Sequence, residues 1–196
     1  MNKITKIAII YFSLAVATGT IYFGTNYCHT SNLISELGAQ KTPYNYIMVS
    51  GFLILGIGLA INAAKKPSAA VIPFAMFGLF MAMAGIFKHK PVDPNQIYSI
   101  TEHNLHSAAA TFAGISITIG FVWQGIMQTR NMLKSVCFYL AFVCFAFPML
   151  MLYFPSYQGI FQRLMYLQVF IWLWTFFPDK IIADKSQKRA GAGHAA

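Results

Sequence analysis

Six apolar stretches, each near the length that crosses about 30 Å of hydrocarbon, recur along a chain of 196 residues. They cover residues 7–23, 46–64, 69–87, 105–127, 136–154 and 160–177. What lies between them is too little polar sequence to coat a soluble helical protein. Only 10% of the chain is charged, where soluble domains carry about 25%. The fold class that follows is all-α: a polytopic membrane protein, a six-helix transmembrane bundle. Residues 1–182 are expected to form that domain. Residues 183–196, small and polar, are expected to be a disordered cytoplasmic tail.

The net charge of +9 invites a nucleic-acid reading, but its distribution is a topology signal. Lys3, Lys6, Lys65, Lys66, Arg130, Lys134, Lys180, Lys185, Lys188 and Arg189 fall at the N-terminus and after spans two, four and six. Only Lys41, Lys88, Lys90 and Arg163 fall on the opposite side. Basic residues gather on the cytoplasmic face of membrane proteins. Both termini are therefore expected in the cytoplasm, with the protein in the inner (plasma) membrane and no nucleic acid as partner. The first span follows two lysines as a signal peptide would. Its "AVATGT" offers a poor cleavage site, and its loss would spoil the charge pattern, so it is expected to be retained. Cys137 and Cys144, seven apart in span five, suit core packing. Cys28 stands alone in the first outer stretch, and no CxxC pair occurs.

Two outer stretches hold the polar chemistry. In the first, "NYCHTSNLISELGAQKTPYN", Ser31 can cap a short interfacial helix that ends at Gly38. Leu33, Ile34 and Leu37 would form its apolar stripe, with Ser35 and Glu36 facing water. In the second, "KHKPVDPNQIYSITEHNLH", Asp93–Pro94 with Gln96 reads as a helix start. Ser99 with Glu102 offers another capping box. Glycines Gly51, Gly56 and Gly58 in span two, and Gly78, Ala82 and Gly85 in span three, predict close helix approach in lipid. Pro148 predicts a kink in span five. Tyr22, Tyr27, Tyr44, Tyr46, Tyr98, Tyr153 and Tyr157 lie near the outer boundary, as an interfacial belt would.

Glu102, His103 and His106 are the densest group. On a helix, His103 and His106 are i, i+3 neighbours, and Glu102 and His106 are i, i+4. Such a histidine can bind metal, relay a proton or hydrogen-bond a head group. HxxH beside a carboxylate is compatible with zinc but matches no established signature, so metal, proton and purely structural readings stay open. Arg163 lies about one turn inside span six, where a charge is costly unless it snorkels or pairs. It either reaches the outer phosphates, pairs with Glu36, Asp93 or Glu102, or binds an anionic group. Asp93 is either a site acid or a plain cap. No Walker loop, nucleophile elbow, HExxH or dinucleotide glycine pattern occurs. The four outer histidines, His29, His89, His103 and His106, lie in loops or on one helix, which argues against paired-histidine haem. Mid-span acids of the kind ion pumps carry are missing. No cofactor is named by the sequence.

At these residues the chain resembles the domain-of-unknown-function family numbered 998, small six-span proteins of bacteria and archaea. The resemblance rests on "ISELGA" (residues 34–39) before span two and "AGIF" (84–87) followed by Asp93. It rests also on His106 opening span four, and on Gly159 with Arg163 in "GIFQRL". It covers nearly the whole chain. The family usually has Pro directly after that Phe, where this chain has Lys88. It implies the six-span fold and brings no agreed activity. The layout is also loosely similar to eukaryotic six-span proteins linked to lipid remodelling, an analogy of architecture.

The expected function is binding or hydrolysis of a lipid or amphiphile at the outer leaflet. His106, with Asp93 and His103, would supply general-base chemistry. Arg163, Glu36, Ser35 and Glu102 would hold the substrate. The rival is a non-catalytic membrane module, either a partner-binding subunit or a small permease. Two structural expectations follow: Asp93 and Glu36 approach the outer end of span four, so that the two outer loops form one lid, and Arg163 bonds an outer carboxylate or a polar group of span four.

Overall fold

The computed structural model describes residues 3–23, 27–65 and 67–177. Six α-helices run in order: α1 (Lys3–Phe23), α2 (Tyr46–Lys65), α3 (Ile72–Ile86), α4 (Ile100–Met127), α5 (Asn131–Tyr153) and α6 (Gln158–Phe176). Short 3-10 turns, Ile34–Gly38 and Pro155–Tyr157, interrupt two connections. The tail expected to be disordered lies outside the described residues.

Four helices, α1, α2, α4 and α5, are long and apolar enough to cross a membrane. α3 has 15 residues, about 22 Å at 1.5 Å per residue. It starts later than the sequence suggested because Ser68–Val71 form a turn, with Val71 N–H bonded to the Ser68 carbonyl at 3.0 Å. Pro73 sits at its start, where a missing N–H costs nothing. α6 interrupts its apolar run with Gln158, Gln162, Arg163 and Gln168. Large apolar side chains such as Leu14, Ile57, Leu79, Phe112, Phe142 and Phe145 are exposed around the bundle. A water-soluble protein would bury that surface; a bilayer covers it. The chain is an all-helical, membrane-embedded bundle.

Each helix packs on the next, and α6 closes the ring against α1. Small residues set the spacing. A Cβ at Gly56 would collide with backbone atoms of Gly78 and Ala82, and one at Gly78 with the Gly56 carbonyl at 2.7 Å, so α2 and α3 touch backbone to backbone. Gly51 and Gly58 admit Ala15 and Ala8 of α1 at 2.9 Å. The interior is filled by aromatic rings from α6. Trp172 stacks on Phe74 of α3 at 4.9 Å and meets Phe121 of α4 edge-on at 5.1 Å. Phe170 meets Phe12 of α1 at 5.4 Å. Two buried polar side chains are satisfied inside: Asn62 donates to Thr5, and Gln124 to the Ala70 carbonyl at 3.3 Å. Cys137 and Cys144 are buried in the core. α5 runs on through Pro148 to Tyr153.

The up-and-down order puts connections 27–45, 87–99 and 154–157 at one end. Tight turns, 67–71 and 128–130, lie at the other. Among the described residues, all four histidines and all three acids lie at or beside the loop end.

Candidate functional site

Arg163 is half-buried, one turn into α6. Its Nη1 donates to three carbonyls: His29 at 3.0 Å, Asn32 at 3.0 Å and Gly159 at 2.9 Å. Its Nη2 donates to Tyr27 Oη at 2.5 Å. The ring of Tyr27 also lies 5.5 Å from the guanidinium carbon. Gly159 is required beside it, because a Cβ there would sit 2.5 Å from the carbonyl oxygens of His29 and Asn32. The backbone N–H groups of Gly159 and Ile160 both donate to the Thr30 carbonyl. The expected carboxylate or span-four partner is not what Arg163 bonds. It anchors the first connection to α6 through main-chain carbonyls. A planar fork with several donors suits such converging oxygens better than an ammonium would.

Tyr27 is correspondingly no belt residue. It is 7% exposed and donates to the Leu33 carbonyl at 3.0 Å. Burial raises its pKa against the lowering influence of Arg163. Tyr22, Tyr44, Tyr46, Tyr153 and Tyr157 are exposed as a belt requires.

Ser35 and Glu36 do not face water. Ser35 is buried. Glu36 is half-buried, and its Oε2 accepts from Asn32 Nδ2 at 2.6 Å and from the Leu33 N–H at 3.1 Å. Burial raises its pKa, with Asn32, the Leu33 N–H, Lys90 and Arg163 pulling the other way. The short helix is a 3-10 turn capped by this carboxylate and not by Ser31. Its Ile34 N–H is met from α6 by Gln162 Oε1 at 2.6 Å.

The two large connections do form one lid, through a residue the sequence did not single out. Gln40, 7% exposed, donates from Nε2 to the carbonyls of Lys88 (3.2 Å) and Ser99 (3.0 Å). Its Oε1 accepts from the Ser99 N–H at 2.8 Å, and its own N–H donates to the His89 carbonyl at 2.9 Å. Next to it the backbone adopts left-handed conformations at Lys41 (φ 61°) and Tyr44 (φ 55°). Both are costly for residues with side chains.

Beneath this clip lie three imidazoles. His106 is 4% exposed, and its Nδ1 meets the carbonyls of Ala84 and Phe87, both at 2.8 Å. Carbonyls only accept, so Nδ1 carries the proton and the neutral ring keeps a bare Nε2. His89 repeats the pattern: its Nδ1 faces the Lys90 carbonyl at 3.0 Å. His103 is reversed, its Nδ1 accepting from the Lys90 N–H at 3.3 Å. The His89 ring is edge-on to His103 at 4.7 Å and to His106 at 5.4 Å. Burial pushes the His89 pKa down to about 4, helped by His106, His103 and Lys90. Among the described residues no group of three or more His, Cys, Asp or Glu is positioned to hold a metal ion.

The remaining candidates stand apart. Asp93 is exposed, and its Oδ1 accepts from the N–H and Nδ2 of Asn95 at 3.0 and 3.2 Å. It closes a local turn and starts no helix. α4 begins at Ile100 with Ser99 as its cap, Ser99 Oγ accepting from the Glu102 N–H at 3.3 Å. Asp93–Pro94–Gln96 failed as a start signal because the segment is held by Gln40 instead. Neither Asp93 nor Glu102 bonds an imidazole, so the carboxylate expected to orient His106 is replaced by two backbone carbonyls. His29 belongs to the Arg163 side, edge-on to Tyr27 at 5.5 Å.

Fold and site together define a membrane-embedded helical bundle with three connections knitted over one end. The chain belongs to the family described as "Protein of unknown function (DUF998)", whose model matches residues 7–177. No curated protein and no solved structure matches the chain.

Proposed function

We propose that the chain binds the head group of a lipid or amphiphile at its loop-capped end, through the imidazoles of His89 and His106. One observation carries this reading: two carbonyls fix the His106 Nδ1–H and leave its Nε2 as an acceptor without a partner among the described residues. His89, kept neutral by burial, has the same orientation of donor and acceptor. Two bare ring nitrogens suit a group that donates, such as the hydroxyl or ammonium of a polar head. Lys88 and Lys90 lie on the same connection and supply positive charge for an accompanying phosphate. Binding is favoured over hydrolysis because Arg163, the cation best suited to a developing negative charge, is already taken up by four protein oxygens.

Native mass spectrometry of protein released from nanodiscs tests the reading. Phosphatidylglycerol and phosphatidylethanolamine carry donors in their head groups; phosphatidylcholine does not. The wild type should retain the first two about tenfold better, a difference of about 1.4 kcal/mol. His106→Asn should lose that preference, since its amide nitrogen can replace Nδ1 while nothing replaces Nε2. An unchanged preference in the variant would remove the imidazole from the reading.

The same proposal puts the loop end on the outer face of the plasma membrane and the termini in the cytoplasm, on the ten-to-four division of basic residues. Cys28 is a native reporter of sidedness. It is exposed, and hydrogen bonds from Thr30 and Ser31 lower its pKa to about 6, so its thiolate is abundant at neutral pH. An impermeant maleimide should label it in intact cells. Labelling only after permeabilisation would reverse the topology.

A further inference from the structure

We infer that the loop-capped end opens on acidification: protonating the cluster of His89, His103 and His106 releases connection 87–99 from Gln40 and from α4. The inference concerns the lid itself and stands whether or not an amphiphile binds.

The cluster is wired for neutral rings. Lys90 is held from both sides, its N–H by His103 Nδ1 and its carbonyl by His89 Nδ1. A proton taken from solvent at His103 Nδ1 sets two donors against each other and ends the first of these bonds. A proton at His89 Nε2 puts a cation edge-on to two further imidazoles, at 4.7 and 5.4 Å, beside the ammonium of Lys90. The groups around His89 are His103 and His106 from α4, Lys90 from its own connection, and Gln40 from the first connection, which bonds its carbonyl. Tyr98 lies edge-on to His103 at 6.1 Å. The nearby acids, Glu36 across the seam and Glu102 on α4, make no hydrogen bond to any of the three rings. The Lys90 carbonyl favours a charged His89, but burial and the neighbouring positive groups outweigh it in the closed arrangement.

The direction follows from linkage. Burial lowers the His89 pKa from 6.5 to about 4 in the closed state. A released His89 therefore binds its proton more tightly than a closed one. The closed lid is fully favoured above about 6.5 and loses that advantage as pH falls toward 4. Opening also carries His89 away from the Gln40 N–H, so the four Gln40 bonds that join the connections go together.

Hydrogen exchange on the full chain in nanodiscs, without added amphiphile, tests this. Rates are corrected for the intrinsic effect of pH. The amides of Gln40, Lys90 and Ser99 should lose protection by about tenfold or more between neutral pH and pH near 4, the equivalent of one pKa unit of linkage. Amides in the middle of α2, such as Leu55, should keep theirs. His103→Gln retains an acceptor for Lys90 without a titrating ring, and His89→Gln removes the buried base. Each should stay closed in acid, while Glu36→Gln should open as the wild type does. Three results would overturn the inference: unchanged protection in wild type, equal loss throughout α2, or acid opening that persists in both histidine variants.

Discussion

At Arg163 the geometry asks for a guanidinium and not merely for a positive charge. Three carbonyls and a phenol oxygen converge on two of its nitrogens. A lysine ammonium has three donors on one atom and cannot span them. Arg163→Ala should destabilise the protein by about 2–4 kcal/mol, since hydrogen bonds to charged groups contribute about 1.5–3 kcal/mol each and the freed acceptors stay partly buried. Arg163→Lys should recover less than half of that, read from thermal unfolding in detergent. Full recovery in the lysine variant would reduce Arg163 to a snorkelling charge. Glu36 makes the opposite case. Its contacts need an acceptor, not an anion, and both come to one oxygen. Glu36→Gln should fold and bind as wild type, while Glu36→Ala should lose about 1–3 kcal/mol by orphaning Asn32 and the Leu33 N–H. Because burial raises the folded pKa of Glu36, its proton favours the folded state at low pH. That contribution fades as pH rises through the folded value. The Gln variant should therefore gain on wild type as pH rises, and a Gln variant that loses on wild type instead would mean the carboxylate is needed as a charge.

Among the helices, the contact of α2 with α3 is the one where substitution is least tolerated. Gly56→Ala forces a methyl group against the backbone of Gly78 and Ala82. Overpacking of that kind costs about 1–3 kcal/mol. Gly114 in α4 is the internal control, because a Cβ there meets nothing within 4 Å. Gly114→Ala should be neutral or stabilise by up to about 1 kcal/mol, the helix preference of Ala over Gly. Equal thermal midpoints for the two variants would mean that backbone contact does not set the helix spacing. The small-residue pattern of spans two and three was legible in the sequence because close approach admits only small side chains. The start of α4 was not. Asp93–Pro94 and Ser99–Glu102 are both good caps locally, and the choice between them falls to Gln40, 59 residues before Ser99. Tyr27 and Gln162 were missed for the same reason: their partners lie across the chain, and nothing in their neighbours reveals it.

The whole molecule was readable where lipid imposes a rule and unreadable where the loops choose partners. Hydrocarbon demands helices of a given length with polar groups at the ends, so the bundle, the side on which His29, Glu36, His89, Asp93 and His106 gather, and the family follow from the apolar pattern and a few motifs. Which of those polar groups meet depends on how two connections fold back on each other. Arg163 and Glu36 were candidates for substrate contact and Asp93 for catalysis, and each is occupied in holding the loops. His89, which was not among the expected site residues, joins His103 and His106 in the cluster left over. The central claim is therefore that a head group meets imidazole nitrogens and not the Arg163 guanidinium. Nitrogen-15 spectra of histidine- and arginine-labelled protein in nanodiscs, titrated with phosphatidylglycerol, test it directly. The Nε2 resonances of His89 and His106 should shift as they accept a hydrogen bond, with Arg163 unmoved. Shifts at Arg163 with the imidazole signals unchanged would contradict the account.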